Sequence, residues 1–273
     1  MRALLTVLFA VPGALAAGPV RADEPSNPAF LGVSMRDMGP TGPCVIGEIT
    51  PDSGAQMAGM QQDDTVLALD DNAISNCDSL VKGIQAREPG QPVKIRVQRS
   101  GAVRILESNL PSRGDVLRKR FVGKQLPLAT LMRVDERSAS DLTSRGKTTI
   151  VGWYDQSTCV SCASAFSNIT DWVKSKGKST ISVVGVTSTR LAMPEAMQNL
   201  KEAQRKLDVP LMYTDPVTFT ELSINDAKRI HFMVIDCRGI VAYATPLKPD
   251  ADDRTAVLEE LYAATEQAAR RMK

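Results

Sequence analysis

The order of predicted elements changes near residue 113 and divides the chain into two folding units. Residues 23–113 show short alternating strands bounded by turn signals, with one helix predicted over 78–87. Residues 121–273 show strands that alternate with longer helices. A length of 273 residues also favours about two domains. The pattern predicts a small, mostly-β domain over 23–113, a linker over 114–120, and an α/β domain over 121–273 with helices packed on a central sheet.

Residues 1–22 are typical of a secretory signal peptide. Residues 4–17 form an apolar run of 14, which is short of the ~20 residues that span a membrane. Small residues suit cleavage after Ala16 or Ala22, and the polar stretch that follows favours Ala22. We expect an exported protein, periplasmic rather than secreted or held by its signal. We expect no transmembrane segment in the mature chain.

The charge balance argues against nucleic acid as a partner. The chain carries 33 Lys and Arg against 31 Asp and Glu, a formal net charge of +2. The predicted signal contains Arg2 and Arg21 and no acidic residue, so the mature chain is balanced. A chain this close to neutral lacks the basic footprint of a nucleic-acid binder.

Five cysteines and a single histidine limit the chemistry that the chain can perform. Cys159 and Cys162 follow a predicted buried strand over 147–154, and a helix is predicted over 160–175. Because a helix N-terminus stabilises a thiolate, Cys159 is the predicted nucleophile and Cys162 the resolving thiol. A purely structural disulfide is the alternative. No zinc site is expected, since a second cysteine pair is missing, and the redox-active disulfide needs no further cofactor.

Five short stretches of the first unit form a recognisable set: Phe30-Leu31-Gly32-Val33, Pro51-Asp52-Ser53-Gly54-Ala55, Ala58-Gly59-Met60, Asp64-Thr65-Val66 and Pro89-Gly90-Gln91-Pro92-Val93. In this order they resemble a bacterial PDZ domain. The resemblance implies that backbone N–H groups of Leu31, Gly32 and Val33 bind the terminal carboxylate of a peptide. The peptide then adds as a strand and packs against Leu80 and Ile84 of the predicted helix. The implied partner is a protein client or a membrane-bound redox partner.

The same resemblance implies that Cys44 and Cys77 are neighbours. They would form a structural disulfide across a loop of about 33 residues, worth roughly 3–4 kcal/mol. Two separate buried thiols are the alternative. For the unit as a whole, the alternative to peptide binding is a PDZ fold that serves only as a spacer or dimer contact.

The second unit also contains a recognisable set of stretches: Val122-Gly123-Lys124 with Pro127, Gly146-Lys147, Cys159–Cys162, Val184-Gly185-Val186 and Val234-Ile235-Asp236-Cys237-Arg238-Gly239. In this order they resemble the redoxin or TlpA-like branch of the thioredoxin superfamily. The resemblance implies a thioredoxin-like fold with a central mixed sheet flanked by helices. It also implies thiol–disulfide exchange at Cys159-Val-Ser-Cys162, with reduction of a client favoured over oxidation.

Three departures from this family keep two other functions open. Thr158 precedes the cysteines where tryptophan is common, Val160-Ser161 separates them, and Ile230 replaces the cis-proline. One alternative is therefore a PDZ-based peptide-binding adaptor whose thioredoxin-like domain is redox-inactive. The other is a Sco-like copper-binding protein that uses Cys159, Cys162 and His231. His231 follows the cis-proline position, so the alignment places it beside the cysteines, where it would tune the thiolate. Cys237 is predicted as an unpaired thiol in a hairpin turn.

Overall fold

The computed structural model describes residues 24–37, 42–126, 131–134, 146–156, 159, 161–177, 180–189, 193–222 and 228–270. The predicted signal, residues 1–22, lies outside the described residues. The same is true of Thr158 and Val160, two of the departures noted above.

The first unit is a mostly-β domain, as predicted. Its described strands form one six-stranded sheet in the order β1-β2-β3-β5-β6, with β4 paired to β3. Every strand pair in this sheet is antiparallel. The elements are β1 (Val33–Asp37), β2 (Cys44–Ile49), α1 (Gly54–Met57), β3 (Thr65–Leu69), β4 (Asn72–Ala73), α2 (Cys77–Gln85), β5 (Pro92–Arg99) and β6 (Ala102–Asn109).

Local sequence explains why these elements form where they do. In β5 the side chains of Val93, Ile95 and Val97 are buried and the residues between them are exposed, which is the period-2 pattern of a strand with one solvated face. Asn76 caps α2: its side chain accepts a hydrogen bond from the Ser79 N–H, and the Ser79 side chain completes the capping box. The helix predicted over 78–87 is thus confirmed: it begins one residue earlier than predicted, at Cys77, and ends at Gln85.

The second unit is an α/β domain with a mixed sheet, which also confirms the prediction. The order of its described strands is β12-β11-β8-β9-β10-β7. The pairs β8–β9 and β9–β10 are parallel, whereas β11 is antiparallel to both β8 and β12. The elements are α3 (Arg113–Phe121), β7 (Met132–Arg133), β8 (Thr148–Trp153), α4 (Cys162–Ser175), β9 (Ile181–Ser188), α5 (Met193–Leu207), β10 (Leu211–Thr214), α6 (Pro216–Leu222), β11 (Ile230–Ile235), β12 (Val241–Leu247) and α7 (Arg254–Arg270).

Each face of this sheet carries its own apolar core. One core contains Phe166 and Ile169 of α4 together with Leu261 of α7. The other contains Trp153 of β8 and Met233 of β11. Because successive side chains of a strand point to opposite faces, membership of one core or the other shows where each strand residue points.

The segment predicted as a linker, residues 114–120, is helical. It belongs to α3, which Ser112 caps by accepting a hydrogen bond from the Asp115 N–H. Val116, Leu117 and Phe121 are buried in the core of the second unit that contains Trp153. The prediction of a plain linker was wrong because this helix is stabilised by tertiary packing, which its basic sequence does not reveal.

Residues 24–27, here called the N-terminal strap, connect the two units. Ser26 is fully buried; its N–H and its Oγ both donate to the Asp253 carboxylate, the latter at 2.6 Å. Buried Arg229 pairs with Glu24 at 2.7 Å and donates to the carbonyls of Pro25 and Ser26. The strap therefore holds the start of the first unit against β11 and α7 of the second.

Two further contacts connect the units beside α3. Phe30 of the first unit packs against the core that contains Trp153, and the Arg113 guanidinium lies 4.1 Å above its ring centroid. Lys119 forms an ion pair with Asp52 at 3.0 Å. With the strap, these contacts fix the first unit on one side of the second.

Candidate functional site

Cys159 and Cys162 are bonded to each other where the chain passes from β8 into α4. Their Cα atoms are 5.4 Å apart. The helix begins at Cys162, two residues later than predicted, and Ser161 is its N-cap. Cys159 therefore lies just ahead of the first helical turn, and its carbonyl accepts a hydrogen bond from the Cys162 N–H at 3.4 Å.

The two cysteines of this disulfide differ in exposure. Cys162 is completely buried, whereas Cys159 retains 7% of its surface and lines a cleft. An attacking thiolate must reach a sulfur along an open path, and access is one of the factors that choose which sulfur is attacked. Of the two cysteines, Cys159 is therefore the one that a partner in the cleft can approach.

Aromatic rings form the floor beneath the disulfide. Tyr154 and Phe232 each contact Phe166 edge to face, with ring centroids 5.5 and 5.6 Å apart. Gly152 makes room for these rings, since a Cβ atom there would lie 2.5 Å from Phe166. The floor therefore restricts movement of α4 and of the cysteine at its start.

Tyr154 is a site residue that the sequence analysis missed. Its hydroxyl is buried and has no hydrogen-bond partner among the described residues. Burial raises the pKa of Tyr154 well above its ordinary value. The alternation of strand residues could have identified it, because Tyr154 follows β8 at the position that shares a face with Ile150 and Gly152.

His231 does not lie beside the cysteines, contrary to the prediction. It pairs with Trp153 across β11 and β8, and paired residues share a face of the sheet. Its neighbours Ile230 and Phe232 pack in the core that contains both cysteines, so His231 points to the other face. The alternation of β11 places Ile230, not His231, on the cysteine side.

This placement removes the proposed copper site. No group of three His, Cys, Asp or Glu side chains in the described ranges is arranged to hold a metal ion. Cys159, Cys162 and His231 are all described, and they are separated by the sheet. Cys237 lies half-buried in the β11–β12 turn and is not disulfide-bonded, as its sequence context predicts.

A cleft of about 1500 Å³ lies between the two units and includes Cys159. On one side are residues at the start of β1 and the end of β2, among them Ser34 and Glu48, which are exposed. On the other side are α5 and α6, with Val217 of α6 69% exposed. This cleft could not be predicted from the sequence, because it depends on how the two units are packed together.

The predicted peptide groove of the first unit lies along the free edge of β1. Leu31, Leu80 and Ile84 are buried in the domain core, and only Val33 of the predicted groove side chains is partly accessible. Gly32 adopts φ +79°, and a Cβ atom there would overlap Ser53, so glycine is required at this position. Among the described residues, no acceptor is found for the N–H groups of Leu31 and Gly32.

The Cys44–Cys77 disulfide is present in the structure. It joins the start of β2 to the first residue of α2, with Cα atoms 4.6 Å apart. Both cysteines are buried, Cys44 completely. Cys77 Sγ also lies 3.9 Å from the Arg36 carbonyl oxygen, so this disulfide fixes the far end of the groove.

Comparison with known families identifies the first unit. Residues 29–110 match the model of the PDZ domain family, so this part of the chain is a PDZ domain. The chain is similar to the zinc metalloprotease RasP of Geobacillus kaustophilus (strain HTA426), with 32% identity over 88 residues. That match covers 32% of this chain and 21% of the metalloprotease, so the chain spans about a fifth of that relative.

Two solved structures resemble parts of the fold. The HtrA-type protease AlgW with a decapeptide is 22% identical, and the match covers 32% of this chain and 30% of that one with a TM-score of 0.30. The solution structure of a proposed protein disulfide isomerase from Bacteroides thetaiotaomicron is 18% identical. That match covers 53% of this chain and 89% of that one with a TM-score of 0.39. None of the helices in the described part of the chain has the length and apolar character needed to cross a bilayer.

Proposed function

We propose that the protein is an exported thiol–disulfide oxidoreductase with a thioredoxin-like second domain. The observation that carries the proposal is the unequal access of one disulfide: Cys159 opens into a cleft and Cys162 is fully buried behind it. A purely structural disulfide needs no such open sulfur. The position of the pair supports the proposal, because it follows the central strand β8 and opens α4, where helix N–H groups favour a thiolate.

The exchange moves two electrons and needs only thiols. In the oxidised protein, a client thiolate attacks Cys159 Sγ; the Cys159–Cys162 bond breaks and Cys162 leaves as a thiolate. A second client thiolate then attacks the client sulfur of the mixed disulfide and releases Cys159. The client leaves as a disulfide and the protein as a dithiol. Reduction of a client, the favoured direction, is the reverse sequence, and a dithiol protein donor restores the reduced pair.

The PDZ domain supplies the partner in this proposal. PDZ domains bind peptides by strand addition, and β1 is an edge strand whose free side is available for it. The unoccupied N–H groups of Leu31 and Gly32 are suited to a terminal carboxylate. A client, or a membrane-bound redox partner, held there is kept at high effective concentration near Cys159. Export by the predicted signal, residues 1–22, to the periplasm fits two disulfides in one chain.

Exchange with a disulfide substrate tests this function. Wild-type protein is expected to reduce insulin in the presence of a dithiol donor, and Cys159→Ser to lose that activity. Cys162→Ser is expected to accumulate a mixed disulfide through Cys159, because the resolving thiol is missing. Cys237→Ser is the matched control and should behave as wild type. A wild-type protein that exchanges with neither insulin nor oxidised glutathione would contradict the proposal.

A further inference from the structure

The cleft at Cys159 is built by both domains. Its first wall consists of residues at the start of β1 and the end of β2 of the PDZ domain, including Ser34 and Glu48. Its second wall contains Val217 and Phe219 of α6. None of the described lining residues belongs to α2, whereas Val33 of β1 lines the cleft and also belongs to the peptide groove. The PDZ domain thus presents two adjoining surfaces to ligands, which share Val33 and differ in that only the groove includes α2.

The walls are held in place by contacts outside the cleft and by one at its edge, between Arg120 and Glu221. The N-terminal strap binds Asp253 and Arg229 of the second unit. On the other side, Arg120 of α3 donates to the Glu221 carbonyl of α6 at 2.9 Å, and Lys119 pairs with Asp52 just after β2. Helix α3 therefore connects both walls, and the width of the cleft is set before any substrate arrives.

The size and lining of the cleft point to a polypeptide as its occupant. Pockets for small ligands measure about 300–1,000 Å³, and this cleft holds about 1500 Å³. Val217 is 69% exposed at its edge, so an apolar side chain of a bound segment would be partly removed from water there. Cys159 is the group that takes part in exchange within it, and its partner in that exchange is a thiol or disulfide. A tripeptide disulfide such as oxidised glutathione is able to reach Cys159 without spanning both walls.

We infer that the outer face of β1 and β2 is a wall of the substrate site, and that an extended client segment carrying a cysteine binds between Glu48 and Val217. This inference rests on the proposed exchange function and adds a second role for the PDZ domain. It predicts that substitutions on either wall slow exchange with a polypeptide disulfide and leave exchange with a small disulfide unchanged. The chemical steps are the thiol–disulfide exchange steps already given for Cys159 and Cys162.

Paired variants of the full chain test this inference with two substrates. Glu48→Arg and Val217→Asp change the two walls at exposed positions. Their matched controls are Glu107→Arg and Val103→Asp, which are exposed on β6 outside the cleft. We expect each wall variant to lower kcat/KM for insulin about tenfold, the range expected of a buried contact at an interface, with oxidised glutathione unchanged. Both controls should match wild type with both substrates.

The outcomes separate this inference from the function on which it rests. Exchange with glutathione by wild type, together with unchanged insulin kinetics in both wall variants, would overturn the inference and leave the function. Equal losses with both substrates would also overturn it, since they place the effect at the disulfide. A wild type inactive with both substrates would overturn function and inference together. As a second measurement, hydrogen exchange on the Cys162→Ser mixed disulfide with insulin should show protection in 45–51 and 216–222 but not in 77–85.

Discussion

Removing the Cys44–Cys77 disulfide should destabilise the PDZ domain selectively. The bridge joins residues 33 positions apart, and the loop-entropy relation gives about 3.7 kcal/mol for a loop of that length. Both cysteines are buried, so replacing them with alanine exposes no new polar group. We therefore expect the double variant Cys44→Ala with Cys77→Ala to have a ratio of unfolded to folded PDZ domain about 500-fold higher at 25 °C. This loss should appear in the PDZ core and not in the second domain.

The distribution of aromatic residues allows the two domains to be followed separately. Both tryptophans and all four tyrosines lie after residue 150, so fluorescence reports only the second domain. Hydrogen exchange of the amides in β2, β3 and β5, measured by mass spectrometry, reports opening of the PDZ core. Cys237→Ala and the pair Cys159→Ala with Cys162→Ala are the controls, since each leaves the PDZ disulfide intact. PDZ amides that exchange within about fivefold of wild type would refute the loop-entropy argument.

Three further substitutions test single features of the fold. Ser26→Ala removes the buried hydrogen bond from the strap to the Asp253 carboxylate, and should lower the free energy of unfolding in urea by about 1–3 kcal/mol. Its control is Asp252→Ala, at an exposed position beside that carboxylate, which should leave the free energy of unfolding almost unchanged. Gly152→Ala forces a Cβ against two phenylalanine rings and should lower the fluorescence-detected Tm by an amount equivalent to about 1–3 kcal/mol. For Asp64, burial acts to raise its pKa, but hydrogen bonds from Arg99 and a backbone N–H lower it by more, so the folded pKa lies below the ordinary value. A depressed folded pKa stabilises the protein above the unfolded pKa of about 3.9 and the benefit is lost as pH falls through the folded pKa. The destabilisation of Asp64→Asn at pH 7, about 2 kcal/mol, should therefore shrink to nothing in strong acid, as measured by exchange of the PDZ amides.

Much of the fold could be predicted because it is encoded locally. The alternation of Val93, Ile95 and Val97 specifies one buried face of β5, and the capping residue Asn76 specifies the start of α2. The cysteine pair after a buried strand could likewise be placed ahead of a helix. In each case, the residues that decide the structure are within a few positions of one another.

The errors came from contacts between distant segments. Helix α3 depends on the burial of Val116 and Leu117 under the second sheet, and a basic run alone gives no sign of it. Successive residues of β11 point to opposite faces of the sheet, so a difference of one position decides the face on which His231 lies. A family alignment places a residue near a site but does not decide between the two faces. The cleft depends on the strap, where Ser26 meets a carboxylate 227 positions away.

The helix that follows the PDZ domain has a consequence for the proposed exchange function, because it bears on which clients that function could reach. With a flexible tether, a captured partner could move until any of its disulfides met Cys159. The effective concentration of the partner at Cys159 would then fall gradually as the tether lengthened. Here α3 is packed on β12 and into the second core, so the distance from the peptide groove to Cys159 is set by a rigid body. Simultaneous engagement is lost when geometry forbids it. Under the proposed function, we expect selectivity by distance: a client is served when its disulfide lies at the right distance from its captured tail, whatever the sequence between them.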